Sequence, residues 1–151
     1  MPSATEVTCH VAAITDLDPV TLYQLLRLRT DVFVVEQRCP YPELDGRDLE
    51  PGARHLWLAR GADVVAYLRL LDDGERQRVG RVVVAAGERG HGYAGRLMAE
   101  ALALVGQRPC VLAAQSHLAS FYRRYGFVVA GPPFVEDGID HVPMHRPGRT
   151  S

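Results

Sequence analysis

The sequence predicts an α+β fold, in which a central mixed, largely antiparallel sheet of about six or seven strands is flanked by helices. Strand-like segments, including a hairpin, dominate the first half of the chain, and strands alternate with helices in the second half. A chain of 151 residues, 47% of them hydrophobic, is long enough to bury one core. We therefore expect a single domain over residues 1–151, with a flexible tail at 146–151.

The first half begins with a strand and a helix and contains one long irregular segment. Asp18 and Pro19 are typical of a helix start, and apolar residues then recur at helical spacing to about Phe33. Residues 38–52, the acidic loop, are interrupted by prolines and glycines, and a connection of this length is usually functional or disordered. The predicted strands are Val7–Ala13 and the hairpin His55–Ala59 with Val64–Leu71.

The second half alternates strands and helices. An apolar face and a terminal Gly106 predict a helix over Gly92–Val105. The other predicted elements are strands at Arg78–Ala86, Cys110–Ala114, Phe127–Ala130 and His141–His145, and a helix at His117–Tyr125.

Composition excludes several classes of protein. A formal net charge of −1 gives no basic surface for nucleic acid. The three cysteines form no CxxC pair, which disfavours structural zinc and a disulfide framework and favours a reducing cytoplasm. The first residues do not resemble a signal peptide, and no segment approaches the ~18 apolar residues of a membrane span. We expect a cytoplasmic protein with neither nucleic-acid nor membrane partners.

The strongest chemical signal is the glycine turn, residues 89–94, which lies between a valine-rich strand and a helix. Backbone N–H groups at a helix start are unpaired and attract phosphate, and glycine lets the anion approach closely. Arg89 adds a charged donor. The alternative is a glycine-bearing helix start without a ligand.

The same segment also matches the dinucleotide-binding pattern GxGxxG at Gly90, Gly92 and Gly95. That motif follows the first strand of its unit and requires an acidic residue ~20 positions later. Here several strands precede the motif, and no Asp or Glu occurs from Ala101 through Val135. A nicotinamide-type cofactor is therefore disfavoured.

Two motifs together resemble the GNAT family of N-acetyltransferases. The pyrophosphate signature of that family, Q/R-x-x-G-x-G/A, is matched by Arg89, Gly92 and Ala94, and a second motif is matched by residues 121–127. Further segments resemble the ElaA-type branch, namely residues 32–37, 39–41, 44–46, 54–55, 114–118 and 136–139.

The resemblance implies that acetyl-CoA is the cosubstrate and that the sheet splays open beside the valine-rich strand. It implies that pantetheine meets the backbone of Val82 and Val84 in the splay. The implied cofactor-binding residues are Val82, Val83, Val84, Arg89, Gly90, His91, Gly92, Tyr93, Ala94 and Gly95.

Tyr122 is the candidate catalytic acid, because the family places a tyrosine here that can protonate the departing CoA thiolate. A phenol with a pKa near ~10 stays protonated at neutral pH and can donate. The alternative is a core tyrosine with a satisfied hydroxyl. Tyr125, one turn further on, is expected to serve packing.

Five carboxylates in or beside the acidic loop are candidates for an acidic mouth that attracts a cationic amine. They are Glu36, Glu43, Asp45, Asp48 and Glu50. Glu36 is the candidate general base, because it follows an apolar run and partial burial would raise its pKa. Water is an equally good base, and a solvated surface loop is the alternative for the whole group.

The histidines do not predict a metal site, and the motifs favour one class of reaction. His141 and His145 share a strand face, but no HxxE, HExxH or Cys partner completes a set, so no metal is expected. The leading hypothesis is direct acetyl transfer to an amine in a ternary complex, since no motif places a nucleophilic cysteine. The alternative is a non-catalytic acyl-CoA-binding or interaction module. The acceptor stays open, as does the choice between monomer and homodimer.

Overall fold

The structure, a computed structural model, describes residues 6–149 and contains one eight-stranded sheet with three α-helices. The strands are β1 Val7–Ala12, β2 Arg54–Arg60, β3 Asp63–Asp72, β4 Gln77–Val84, β5 Cys110–Gln115, β6 Val128–Val129, β7 Phe134–Glu136 and β8 Ile139–Arg146. The helices are α1 Pro19–Arg29, α2 Tyr93–Val105 and α3 Ala119–Arg123.

The strand order is β1-β2-β3-β4-β5-β8-β6, with β7 pairing to β8 as well. Strands β1 to β4 form an antiparallel meander, and β5 pairs antiparallel with β8. Only β4 and β5 run parallel. The predicted mixed, largely antiparallel sheet is confirmed, and the short strands β6 and β7 bring the number to eight.

Helix α1 begins where the sequence predicts and changes geometry before it ends. The Asp18 side chain accepts a hydrogen bond from the Thr21 amide at 2.9 Å, and Pro19 occupies the first turn. After α1, residues Thr30–Glu36 continue as a π-helix. The wider π turns, which are often found at functional sites, carry Phe33 to the rim of the cleft described below.

Two apolar clusters cover opposite faces of the sheet. Tyr67 packs with Leu25 and Leu28 of α1, whereas the next residue, Leu68, packs in the cluster that holds α2. Side chains alternate across a strand, so adjacent residues of β3 face different layers. Helix α2 contributes its predicted apolar stripe to the second cluster through Leu97, Met98, Ala101 and Val105.

The sheet opens between β4 and β5. These strands are eight and six residues long, yet they pair only at Gln77 with Cys110 and at Arg78 with Val111. Beyond Arg78 they diverge, and the facing edges of both strands lose their partners. The predicted splay is therefore present and lies beside the valine-rich end of β4.

Three features differ from the prediction. The helix expected over His117–Tyr125 is a 3-10 turn at Ser116–Leu118 followed by the short α3. The sequence analysis did not predict strand β7 or its hairpin with β8. The flexible tail was predicted to begin at residue 146, but Arg146 is the last residue of β8 and the Arg149 amide donates to Gln107 O at 2.8 Å. Residues 150–151 of the predicted tail lie outside the described residues. No helix between residues 6 and 149 has the length and apolarity needed to cross a membrane.

Candidate functional site

The open edge of β4 offers unpaired backbone groups to the splay. The Ala85 amide donates to Val65 O at 2.9 Å, so Ala85 directs its backbone toward β3. Backbone direction alternates along a regular antiparallel strand, so Val83 also faces β3 and Val84 faces the open side. Val82 lies at a register shift of the β3–β4 pairing and lines the cleft described below. Val83 also packs its side chain beneath α1. Val83 therefore turns its backbone away from the open edge, and its role in binding the cofactor stays a prediction.

The glycine turn leads into α2 without capping the helix. Gly92 is the N-cap residue and supplies no side-chain hydrogen bond, so the first amides of α2 lack intrahelical or capping acceptors. Gly90 and Gly92 have φ of 87° and 76°, which favour glycine. A 13-residue helix whose N-terminal donors are unsatisfied is suited to bind an anion.

Ion pairs and aromatic contacts hold the residues next to the glycine turn in place. Arg60 pairs with Glu88 at 2.6 Å and donates to the Tyr93 hydroxyl at 3.1 Å. His91 is exposed and lies 5.6 Å from the Tyr93 ring. Gly95 is required for packing, because a Cβ there would clash with the Tyr125 hydroxyl. Tyr125 serves packing, as predicted.

Arg89 is held by Glu36 across the mouth of the splay. Its guanidinium lies 2.8 Å from the Glu36 carboxylate and donates to Val84 O at 3.3 Å. Both charged side chains are exposed, at 45% and 42%. The prediction that Glu36 is partly buried is therefore wrong, and the role of Glu36 as general base stays a prediction.

A cleft of about 520 Å³ fills the splay. Tyr122 lines it together with Val82 of β4 and Leu112 of β5. The Tyr122 side chain is buried, and this burial raises the pKa of its hydroxyl to about 12. Within residues 6–149 the hydroxyl has no hydrogen-bond partner, so the satisfied core tyrosine considered above is not what the structure contains. A protonated, unpartnered phenol can act as a proton donor.

Two carboxylates of the acidic loop, Glu43 and Asp48, are buried in ion pairs rather than open to an incoming amine or to solvent. Arg29, 1% exposed, contacts Glu43 at 2.7 Å and Asp48 at 2.8 Å. Arg69, also buried, contacts Asp45 at 2.9 Å and Asp48 at 3.2 Å. Three carboxylates of the loop are therefore neutralised by arginines of α1 and the sheet, and for the buried pair Glu43 and Asp48 such neutralisation is a requirement.

The remaining charges around the cleft are distributed differently from the prediction. Glu50 pairs with Arg47 at 2.9 Å, so each of the five predicted carboxylates has an arginine partner. Glu136 and Asp137 of the β7–β8 hairpin also line the cleft and make no ion pair within the described chain. The unneutralised charge at the cleft is therefore negative, but it comes from a hairpin that sequence periodicity did not reveal.

No group of three or more potential metal ligands occurs between residues 6 and 149. His55 is buried in the ion-pair region, where its Nδ1 lies 2.6 Å from the Tyr67 hydroxyl, and His117 is exposed outside the cleft. Cys9, Cys39 and Cys110 are free.

Comparison with known proteins identifies the family. The model of the acetyltransferase (GNAT) domain matches residues 30–146. The chain is 51% identical over 138 residues to a UPF0039 protein of Mycobacterium bovis, with 88% of each chain covered. It is 41% identical over 138 residues to protein ElaA of Escherichia coli, covering 87% of this chain and 90% of ElaA.

Solved structures agree with this assignment. A crystal structure described as an acyl-CoA N-acyltransferase from Pseudomonas aeruginosa shares 42% identity with a TM-score of 0.89, covering 93% of this chain and 99% of that one. The crystal structure of E. coli ElaA has a TM-score of 0.88 with the same coverage. The chain belongs to the GNAT acetyltransferase family and, within it, to the ElaA-type branch.

Proposed function

We propose that this protein is an N-acetyltransferase that moves the acetyl group of acetyl-CoA directly to an amine within a ternary complex. Its family membership supports acyl transfer from an acyl-CoA. The observations that carry the finer proposal are the uncapped N-terminus of α2 and the edge of β4 that leaves β5, whose Val82 lines the cleft. The proposed enzyme is a single domain over residues 1–151.

The available donors and acceptors fit the parts of acetyl-CoA. The pyrophosphate is a dianion that the amides of the glycine turn and of the first turn of α2 can bind, with Arg89 as a charged donor. Pantetheine carries two amides, which can pair with the backbone of Val82 and with the amide of Val84. The Val84 carbonyl accepts from Arg89 at 3.3 Å, so a ligand would have to displace Arg89 to use it. The thioester end then reaches the cleft that Tyr122 lines.

Tyr122 is the proposed acid for the leaving group. As the C–S bond of the thioester breaks, sulfur gains negative charge, which is costly in a buried site. The Tyr122 hydroxyl is protonated and unpartnered within the described residues, so it can give its proton to sulfur.

Charge at the cleft supports a cationic acceptor. The arginines that line the cleft are engaged by carboxylates, whereas Glu136 and Asp137 form no ion pair with any residue from 6 to 149. A ligand entering the cleft therefore meets uncompensated negative charge, which favours a protonated amine over an anion.

A thiol also lines the cleft, and its environment favours direct transfer. Cys39 is buried, and its Sγ donates to Asp137 O at 2.8 Å. Burial and the Asp137 carboxylate raise the pKa of this thiol. The nucleophile in a covalent mechanism is a thiolate, so a thiol that holds its proton is a poor acyl carrier.

Gly92→Glu tests the cofactor site. We expect it to bind acetyl-CoA more weakly than Gly92→Gln by about 2–4 kcal/mol, because the two variants share bulk and backbone strain but only one carries negative charge. Calorimetric titration measures the affinities, and thermal melts establish that both variants are folded. Equal affinities would refute the pyrophosphate assignment, as would comparable binding of NADH to the wild type.

Tyr122→Phe tests the chemistry, using acceptors found by screening amines for release of CoA thiol. The substitution removes one oxygen and keeps the packing, so turnover should fall ~10²-fold with little change in acetyl-CoA affinity. Single-turnover rates guard against slow product release. Normal single-turnover chemistry would end the proposed role of Tyr122. If no amine accelerates CoA release while acetyl-CoA binds, the protein is a binding module instead.

A further inference from the structure

His141 lies in the wall of the cleft and is not used by the function described so far. It belongs to β8, where it pairs with Gln115 at the end of β5 on one side and with Phe134 of β7 on the other. Its side chain is half-buried and lines the same cleft as Tyr122. Residues of two neighbouring strands therefore hold the backbone of His141 in place beside the splay.

Local contacts also determine the protonation pattern of the His141 ring. Nδ1 lies 2.7 Å from the carbonyl oxygen of Ile139. A carbonyl can only accept, so Nδ1 carries the hydrogen, and in the neutral ring the lone pair is on Nε2. Nε2 makes no hydrogen bond to another residue between 6 and 149. The ring is also stacked on Phe134, with centroids 5.6 Å apart and planes 20° apart.

The carboxylates near the cleft are less suited to take a proton. Asp45 is held by Arg69 at 2.9 Å and by Arg81 at 3.2 Å, and Glu36 is held by Arg89 at 2.8 Å. An ion pair stabilises the charged carboxylate and weakens its basicity. Glu136 and Asp137 are exposed on the hairpin, where water competes for their lone pairs. His141 combines an unpartnered lone pair with a fixed ring.

We propose that Nε2 of His141 is the general base that accepts a proton from the acceptor amine. This inference rests on the proposed acetyltransferase function. The ammonium form of the acceptor gives one proton to Nε2, and the imidazolium later returns it to solvent. The freed nitrogen lone pair forms the C–N bond with the thioester carbonyl carbon, and the C–S bond breaks with its electrons on sulfur. Sulfur takes the proton of Tyr122, and the second proton of the nitrogen restores the tyrosine through water.

The variant His141→Asn separates the two ring nitrogens. The Asn amide can still donate to Ile139 O, but it has no atom in place of Nε2. We expect single-turnover acetylation of a basic amine to fall ~10²-fold at unchanged acetyl-CoA affinity. His145→Asn is the matched control, since it alters a histidine of the same strand that does not line the cleft, and it should react at the wild-type rate.

Two further readouts distinguish a base from a structural residue. A weakly basic acceptor such as hydroxylamine is already neutral at pH 7, so His141→Asn should slow its acetylation several-fold at most. Added imidazole should restore part of the activity of His141→Ala. A base role is overturned if both acceptors are slowed equally or if imidazole has no effect.

The tautomer can be checked without turnover. Two-bond ¹H–¹⁵N spectra of the ring, assigned with the His141→Asn variant, should show a protonated Nδ1 and an unprotonated Nε2. The opposite tautomer would overturn the assignment. If wild-type protein acetylates no amine at all, the proposed function fails and His141 has no base role; if the wild type is active and His141→Asn equals it, only this inference fails.

Discussion

The acidic loop and the glycine turn are two irregular segments near β4, and they differ in how their polar groups are satisfied. The loop contacts Arg81 of β4 through Glu43 and Asp45, and the turn follows β4 in the chain. In the loop, Glu43, Asp45 and Asp48 are paired with Arg29, Arg69 and Arg81. At the turn, the first amides of α2 receive no side-chain cap from the residues that the structure describes. Polar groups satisfied by the chain itself stabilise the fold, whereas groups that the chain leaves unsatisfied are available to a ligand.

A second contrast lies in the two ion pairs that sequence alone would treat alike. The Arg29–Glu43 pair is 1% and 4% exposed, and the Arg89–Glu36 pair is 45% and 42% exposed. The first pair is formed in the interior, so breaking it leaves a charge away from water. The second is screened by water and can exchange partners at low cost. We therefore expect substitutions in the loop to affect stability and substitutions at the turn to affect binding.

The largest effect is expected for Arg29→Met. Removing the guanidinium leaves Glu43 and Asp48 short of a partner in the interior, and the free energy of unfolding should fall by about 3–5 kcal/mol. Urea unfolding measures this loss. Arg27→Met is the control, because Arg27 is 70% exposed and its pair with Asp31 spans 3.6 Å, and it should change stability by less than about 1 kcal/mol. Equal losses in both variants would contradict the contrast.

Acid should destabilise the protein by protonating two carboxylates of the acidic loop and the buried His55 beside it. Although burial opposes it, the hydrogen bond and charge of Arg69 lower the pKa of Asp45 to about 2. Arg29, with Arg69, likewise lowers the pKa of Asp48, and burial lowers the pKa of His55. For all three groups the unfolded chain binds protons more readily, so the free energy of unfolding decreases as the pH falls.

The expected profile has two stages. Stability should begin to decrease below about pH 6.5, where unfolded histidine titrates, and should decrease further from about pH 4 toward pH 2. Urea unfolding across this pH series provides the measurement. The second stage should be shallower in Asp48→Asn. A profile that is flat from pH 7 to pH 3 would mean that these groups are not held in their folded environment.

The smallest effect is expected for Glu36→Gln. Loss of an exposed pair should change stability by no more than about 0.5 kcal/mol, but it frees Arg89 for the pyrophosphate. Acetyl-CoA affinity should therefore rise roughly two- to five-fold, as an exposed pair of ~0.2–1 kcal/mol allows. Asp31→Asn, at an exposed carboxylate away from Arg89, should leave affinity unchanged.

The turnover of Glu36→Gln is informative in its own right. If His141 is the base, turnover at saturating acetyl-CoA should stay within a few-fold of the wild type. A fall of ~10²-fold or more would instead identify Glu36 as the base. Unchanged affinity would show that Glu36 does not compete with the cofactor for Arg89.

Local patterns predicted much of the fold because their physics is local. Asp18 and Pro19 specify a helix start through the φ of proline and a side chain that reaches the third amide. The hairpin of β2 and β3 follows from apolar strands around a short turn. The β7–β8 hairpin was missed because β7 has only three residues, all exposed, and so shows no alternation between buried and exposed positions.

The candidate site divides in the same way. By itself the sequence determined the glycine turn, the uncapped helix after it and the tyrosine of α3, because each depends on residues within one or two turns of one another. Only the tertiary structure decided which carboxylates are neutralised and that His141 shares a cleft with Tyr122. Those outcomes depend on strands and loops that are distant in the chain, as with Arg29 and Asp48 or Glu36 and Arg89. A charge in a sequence carries no record of its burial, because burial and pairing are set by the segments that pack against it.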